Sequence, residues 1–161
     1  MFQVGDKIVY PMHGAGIIEA IEEKEILGEK QHYYLINMPM GNVHIMIPME
    51  KVMNLGIREI VDRDTMDDVL HTFHDHKSDS SVAWNQRYRK NMDKLKTGDI
   101  YKGAEVIRDL LRINKDRVLG AGEKKMLDNA MQMFISELVS VKKITEEQAT
   151  DLVNQFLHKD A

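Results

Sequence analysis

The sequence contains no cysteine. A disulfide framework, a thiolate nucleophile and a cysteine-ligated zinc ribbon are therefore excluded. Proline is scarce, with only Pro11, Pro39 and Pro48, and aromatic residues make up 6% of the 161 positions, with a single tryptophan, Trp84. No apolar run approaches the roughly 18 residues that a membrane-spanning helix needs. The opening MFQVGDKIVY enters strand-like alternation at once, without the charged-then-apolar order of a secretion signal, so a cytoplasmic protein is expected. Hydrophobic residues at 43% and charged residues at 30% are ordinary for a globular chain. At this length such a chain buries a sizeable core without metal or cross-links, as one large domain or two small ones.

Charge is unevenly spread. Residues 1–83 hold 7 Lys and Arg against 14 Asp and Glu, residues 84–125 hold 12 against 6, and residues 126–161 hold 3 against 6. A basic middle between acidic ends suits a local polyanion-binding surface on a protein that does not coat nucleic acid indiscriminately. Solvated cations on helix faces are the plainer alternative.

The hydrophobic period changes along the chain. Through the first sixty residues apolar and polar positions alternate in short runs, broken at Gly5-Asp6, His13-Gly14-Ala15-Gly16, Gly28 and Gly41-Asn42. IIEAIEEKEI, LGEK and QHYYLINM form a hairpin pattern, and MGN leads into VHIMIP as a second. The three prolines fall at strand ends or turns, where a missing N–H costs least. About five strands at this spacing predict a small antiparallel β-barrel of the SH3 or Tudor type. From residue 64 the period is helical. Met66, Val69, Leu70 and Phe73 share a face, with Thr65 as expected cap. HKSDSS is a polar hinge whose Ser80 or Ser81 is expected to cap a helix closed by Gly98. Asp99 opens the next, and a long amphipathic helix follows LGAG. Thr145 and Gln148 form a capping box for the last. The fold class predicted is α+β, a β-barrel over 1–63 and a bundle of four or five helices over 64–161.

Little in the sequence suggests catalysis. HGAG lacks the Lys-Ser/Thr of a phosphate loop, so a turn between strands is the simpler reading. His71, His74 and His76 lie close together, but a zinc site needs three or four converging ligands, and this stretch runs into a polar hinge. Paired carboxylates such as Asp67-Asp68 and Glu146-Glu147 suit helix first turns. No enzyme site, metal or cofactor is expected. A metal-dependent enzyme built on the three histidines is the minor alternative.

Trp84 is the more informative position. Trp84, Tyr88, Met92 and Leu95 make an apolar stripe on a helix over 82–97, flanked by Arg87, Lys90 and Lys94. The stripe by itself reads as core. Yet Trp84 stands in the first turn, at the stripe's edge. An aromatic there, with cations a turn away, can wedge into a base step while the cations hold phosphates.

Several segments resemble the bacterial CarD/CdnL family of RNA polymerase-binding transcription regulators. These are VGDKIVYPMHGAGIIEAIE at 4–22, IPMEKVMNLGIREI at 47–60, WNQRYRKNMDKLKTGD at 84–99, AEVIRDLLR at 104–112 and LGAGEKKML at 119–127. The resemblance implies a Tudor-like domain, similar to one in the transcription-repair coupling factor, that docks on the polymerase β subunit through a sheet edge. Lys24, Ile26, Ile45 and Met46 would lie at that contact, although relatives often carry arginine at the positions of Lys24 and Met46. The resemblance further implies a helical DNA-binding domain that holds promoter DNA at the upstream edge of the open complex. There Trp84 would be the minor-groove wedge, and Arg87, Arg89, Lys90, Lys124 and Lys125 the phosphate contacts. Relatives can carry a basic residue where Gln86 stands. DNA would be bound largely without sequence preference, by a monomer associated with the nucleoid through polymerase. A polymerase-binding adaptor, whose helical half recruits another protein through Trp84, is the alternative.

Overall fold

The computed structural model describes residues 1–74 and 83–158. The expected hinge residues His76, Ser80 and Ser81 lie outside them.

Five strands form the N-terminal part: β1 (Lys7–Tyr10), β2 (Gly14–Ile26), β3 (Glu29–Met38), β4 (Val43–Pro48) and β5 (Arg58–Glu59). All pairings are antiparallel and the order is β4-β3-β2-β1-β5, so β4 and β5 are the two edges. The alternation read from the sequence has its physical cause here. Ile8, Ile18, Tyr34, Ile36, Met38, Ile47, Val52 and Ile57 fill one core, and the Tyr34 hydroxyl is tied to the backbone of Phe2. A bulge between Ile18 and Ala20 breaks the β2–β3 register and bends the sheet. Beyond it residues 21–30 are exposed throughout, so the hairpin projects from the core as a two-stranded ribbon. The ribbon turns at Leu27 and Gly28, both at positive φ.

Among the described residues five α-helices follow: α1 (Arg63–His71), α2 (Trp84–Lys96), α3 (Ile100–Asp116), α4 (Ala121–Lys142) and α5 (Glu146–His158). The Asp99 side chain accepts from the Tyr101 and Lys102 N–H groups at the start of α3, and Thr145 and Gln148 exchange reciprocal bonds before α5. The α1 cap differs from expectation. Asp62 accepts from the Thr65 N–H at 2.7 Å, so Thr65 lies inside the first turn. Gly98 follows α2 at φ +73, as a terminating glycine should. The long helix α4 is the spine of the helical core, with Met126, Leu127, Ala130, Phe134, Leu138 and Val141 buried among residues of the other helices.

Sheet and helices meet along one face of α4. Arg58 of β5 donates twice to Glu137, at 2.8 Å each, and its Nε donates to the Gly98 carbonyl at 2.9 Å. The Val61 N–H reaches the same carboxylate at 3.0 Å. The HGAG segment belongs to this junction: the Ala15 N–H donates to Ser136 Oγ at 2.9 Å. A β-carbon on Gly14 would come within 2.8 Å of that oxygen, and one on Gly16 within 2.5 Å of Met38 Sδ. The turn lies just before them at residues 11–13, and these glycines open β2 and permit close packing, which is not a phosphate cradle.

Candidate nucleic-acid and protein interfaces

Trp84 is the first residue of α2. It is 56% exposed, and its ring stacks on Tyr88 at a centroid distance of 6.0 Å and an interplanar angle of 30°. The expected apolar stripe is therefore rotated. The residues α2 buries are Arg87, Asn91 and Leu95, while Tyr88 and Met92 are half-buried on the flank. Leucine alone among these would be read as core.

Arg87 requires a correction. It does not stand free for a phosphate. Its Nε and Nη2 donate to the two carboxylate oxygens of Glu123 at 2.8 and 2.6 Å, and both side chains are buried. The hydrogen bond to the Glu123 carboxylate holds the guanidinium above its ordinary pKa despite burial, so the charge is retained and spent inside the protein. Glu123 was not legible as a partner, because an acid in a helix first turn is satisfied by the helix dipole alone. Arg89, Lys90, Lys124 and Lys125 are exposed and form no ion pair among the described residues. Lys94 is paired with Glu105 at 3.3 Å. The Arg87–Glu123 bond brings the start of α2 beside the start of α4, and a β-carbon on Gly122 would lie 3.6 Å from Tyr88 Cε2. The exposed indole and the Lys124-Lys125 pair thus emerge from neighbouring helix ends.

One turn beyond Arg87, the Asn91 Nδ2 is buried without a hydrogen-bond partner among the described residues. An orphaned amide donor costs about 1–3 kcal/mol. Asn91→Leu, close in volume, is expected to raise stability by about 1 kcal/mol, seen as a melting temperature higher by about 2–4 °C.

In the sheet, Lys24 and Ile26 lie on the projecting ribbon, and Ile26 is exposed. On the edge strand β4, Met46 is exposed and Ile47 buried. Ile45 is half-buried against the sheet core. It is thus placed to offer the backbone of an unpaired edge more than its side chain. Exposed Val43 and Met46 add apolar surface along that edge.

His71 and His74 do not assemble into a metal site with other described residues, and His76 lies outside them. His71 Nδ1 is 2.7 Å from the Asp67 carbonyl, and the rings of His71 and His74 both pack on Phe156. No group of three metal-ligating side chains occurs among the described residues. No helix among them is long and apolar enough to cross a membrane.

Two family domains match the chain in order. The CarD-like/TRCF RID domain covers residues 2–61 and the CarD C-terminal domain covers residues 68–154. A sheet unit of the first kind followed by a helical unit of the second defines a CarD-like transcription factor, and this chain belongs to that family. It is 55% identical over 148 residues to YdeB of Bacillus subtilis strain 168, a candidate transcription factor, spanning 92% of this chain and 97% of that one. The solution structure of the 72-residue N-terminal domain of Myxococcus xanthus CarD shares 32% identity, covering 37% of this chain and 79% of its own, with a TM-score of 0.32. The family is one of transcription factors.

Proposed function

We propose that the chain binds the β subunit of RNA polymerase through residues 1–63 and stabilises the promoter open complex through residues 64–161. The observation that carries this reading is the exposed indole of Trp84, at a helix end beside cations that form no ion pair among the described residues. A core tryptophan would be sealed, and a scaffold would have no use for a large apolar ring in water. Trp84 enters the minor groove at the upstream edge of the bubble and supports an unstacked base step. Arg89 and Lys90 hold the flanking phosphates, with Lys124 and Lys125 as a second tier.

The ribbon and the β4 edge provide the tether. An unpaired edge strand adds to a partner's sheet through main-chain hydrogen bonds, with Met46 and the ribbon residues Lys24 and Ile26 supplying side-chain contacts. Tethering raises the concentration of the helical half at the promoter, so weak intrinsic DNA affinity suffices. The open state then gains no more than the difference between the protein's affinity for melted and for intact DNA. Binding to free duplex is expected to be weak, largely indifferent to base identity and strongly salt-dependent. On this reading the protein works in the cytoplasm, on the nucleoid with polymerase, as a monomer.

Ile26→Asp tests the tether. Ile26 is exposed on the ribbon, so the substitution spares the core while placing a charge in an apolar contact. Polymerase binding by pull-down or interferometry is expected to weaken by about two orders of magnitude, the scale of a truncated interface anchor, with an unchanged melting temperature. Unaltered polymerase affinity would remove the ribbon from the interface. Loss of a different protein partner on Trp84→Ala, with open-complex lifetime unchanged, would favour the adaptor reading.

A further inference from the structure

We propose that Glu123 is a positioning residue for Trp84, acting through its buried two-pronged bond to Arg87. This deepens the reading of Trp84 as the DNA-contacting wedge and rests on it.

Among the described residues, the first turn of α2 has few other supports. Ala83 precedes the helix and offers no side-chain cap. Trp84, Asn85 and Gln86 are all exposed, and among the described residues the Asn85 side chain accepts only from the neighbouring Gln86 N–H. Arg87 is the first residue of the helix that points inward. It is 9% exposed and Glu123 is 1% exposed. The bond uses Nε and one terminal nitrogen against both carboxylate oxygens, so the two planar groups lie fork to fork. That geometry fixes the guanidinium plane in a way that a lysine, with a single rotating ammonium, cannot.

The restraint passes along the helix to the indole. Tyr88, the next residue, lies against Gly122, immediately before Glu123, and carries the Trp84 ring on its face. Glu123, Arg87, Tyr88 and Trp84 thus form one connected set spanning the starts of α2 and α4. A buried ion pair is seldom more stabilising than apolar residues of the same volume, so what this one supplies best is orientation. It has an electrostatic consequence too. An unneutralised carboxylate beside Lys124 and Lys125 would repel phosphate, and Arg87 cancels it.

Trp84 is the only tryptophan in the sequence, so time-resolved fluorescence anisotropy of the free, full-length protein reads this ring alone. The slowly decaying part, which reports a ring held to the body of the protein, is expected to be lost in Glu123→Gln. It is expected to be partly lost in Arg87→Lys, where the charge remains and the fork does not. The exchanged pair Arg87→Glu with Glu123→Arg is expected to regain it. Helical circular dichroism, measured well below each melting transition, is expected to match wild type. Should Glu123→Gln fail to fold, Arg87→Lys carries the same readout. Wild-type anisotropy in the folded variants overturns the proposal, as does a loss that merely follows a fall in helix content. Open-complex lifetime is expected to fall in the same rank order as the anisotropy. Lost anisotropy with an unchanged lifetime would uphold the positioning and refute the wedge.

Discussion

Trp84→Ala is expected to shorten the half-life of competitor-resistant open complexes by about tenfold while leaving polymerase binding and folding intact. The size follows from the chemistry of stacking. An aromatic side chain against an unstacked base is worth ~1–3 kcal/mol by alanine substitution, and 1.4 kcal/mol is tenfold in an equilibrium. If that contact exists only in the melted state, its whole loss appears in open-complex lifetime. The folded protein loses little, since the ring is 56% exposed and stacks on Tyr88. A destabilisation below about 1 kcal/mol is expected, comparable with a surface aromatic pair. The decisive comparison is lifetime against melting temperature in the same variant. A Trp84→Ala protein that unfolds near room temperature would show that the indole supports the fold. One that folds normally and leaves open complexes equally long-lived would show that it does not reach the DNA.

The polarity of that expectation was legible in the sequence, and its surroundings were not. By spacing alone Trp84 reads as core; its place at the stripe's edge in a first turn leaves a wedge open, and the family resemblance is what assigns it. Arg87 is different. Every local cue marks it as one more solvated cation, and its partner is 36 residues away on another helix. Nothing in the spacing of Arg87, Lys90 and Lys94 says which of the three turns inward. The same holds for the sheet. Period-2 alternation and the glycine breaks place the hairpins, because side-chain direction and positive φ are set residue by residue. That Gly14 and Gly16 are required by Ser136 and Met38 depends on which elements meet, which no local pattern carries. Ile45 reads as an edge contact by resemblance, yet alternation along β4 turns it toward the core with Ile47. The capping residues show the boundary of local inference. Asp99 and the Thr145–Gln148 box act as read. Asp62 displaced Thr65 because a carboxylate three residues before an N–H competes well with a hydroxyl inside the turn.

The buried polar residues of α4 lead to the second large effect. Glu137→Ala is expected to destabilise the protein by about 3 kcal/mol, and to shorten open-complex lifetime even at temperatures where the protein stays folded. Glu137 is 2% exposed and receives both prongs of Arg58 together with the Val61 N–H. Removing one member of a buried pair costs about 3–5 kcal/mol, because the other is left desolvated without a counter-charge. The lower end applies here, since the Arg58 side chain is 28% exposed and can regain some water. At about 2–4 °C per kcal/mol for a chain of this length, the melting temperature is expected to fall by roughly 10 °C. The functional effect follows from where the pair sits. It joins the sheet that is proposed to hold polymerase to the helix whose other end carries Lys124 and Lys125. A tether that fixes distance but not direction gives up much of its effective concentration, and two contacts then cease to be made together. Polymerase affinity, set by the ribbon and β4, is expected to stay within a factor of about two. Arg58→Met with Glu137→Leu removes both charges and fills the space, and is expected to recover most of the stability. It lacks the directional bonds to Val61 and Gly98, so its open complexes are expected to remain shorter-lived than wild type. Equal lifetimes for the apolar pair and wild type would mean that packing alone aligns the two halves, and that the charges at this junction serve only the fold.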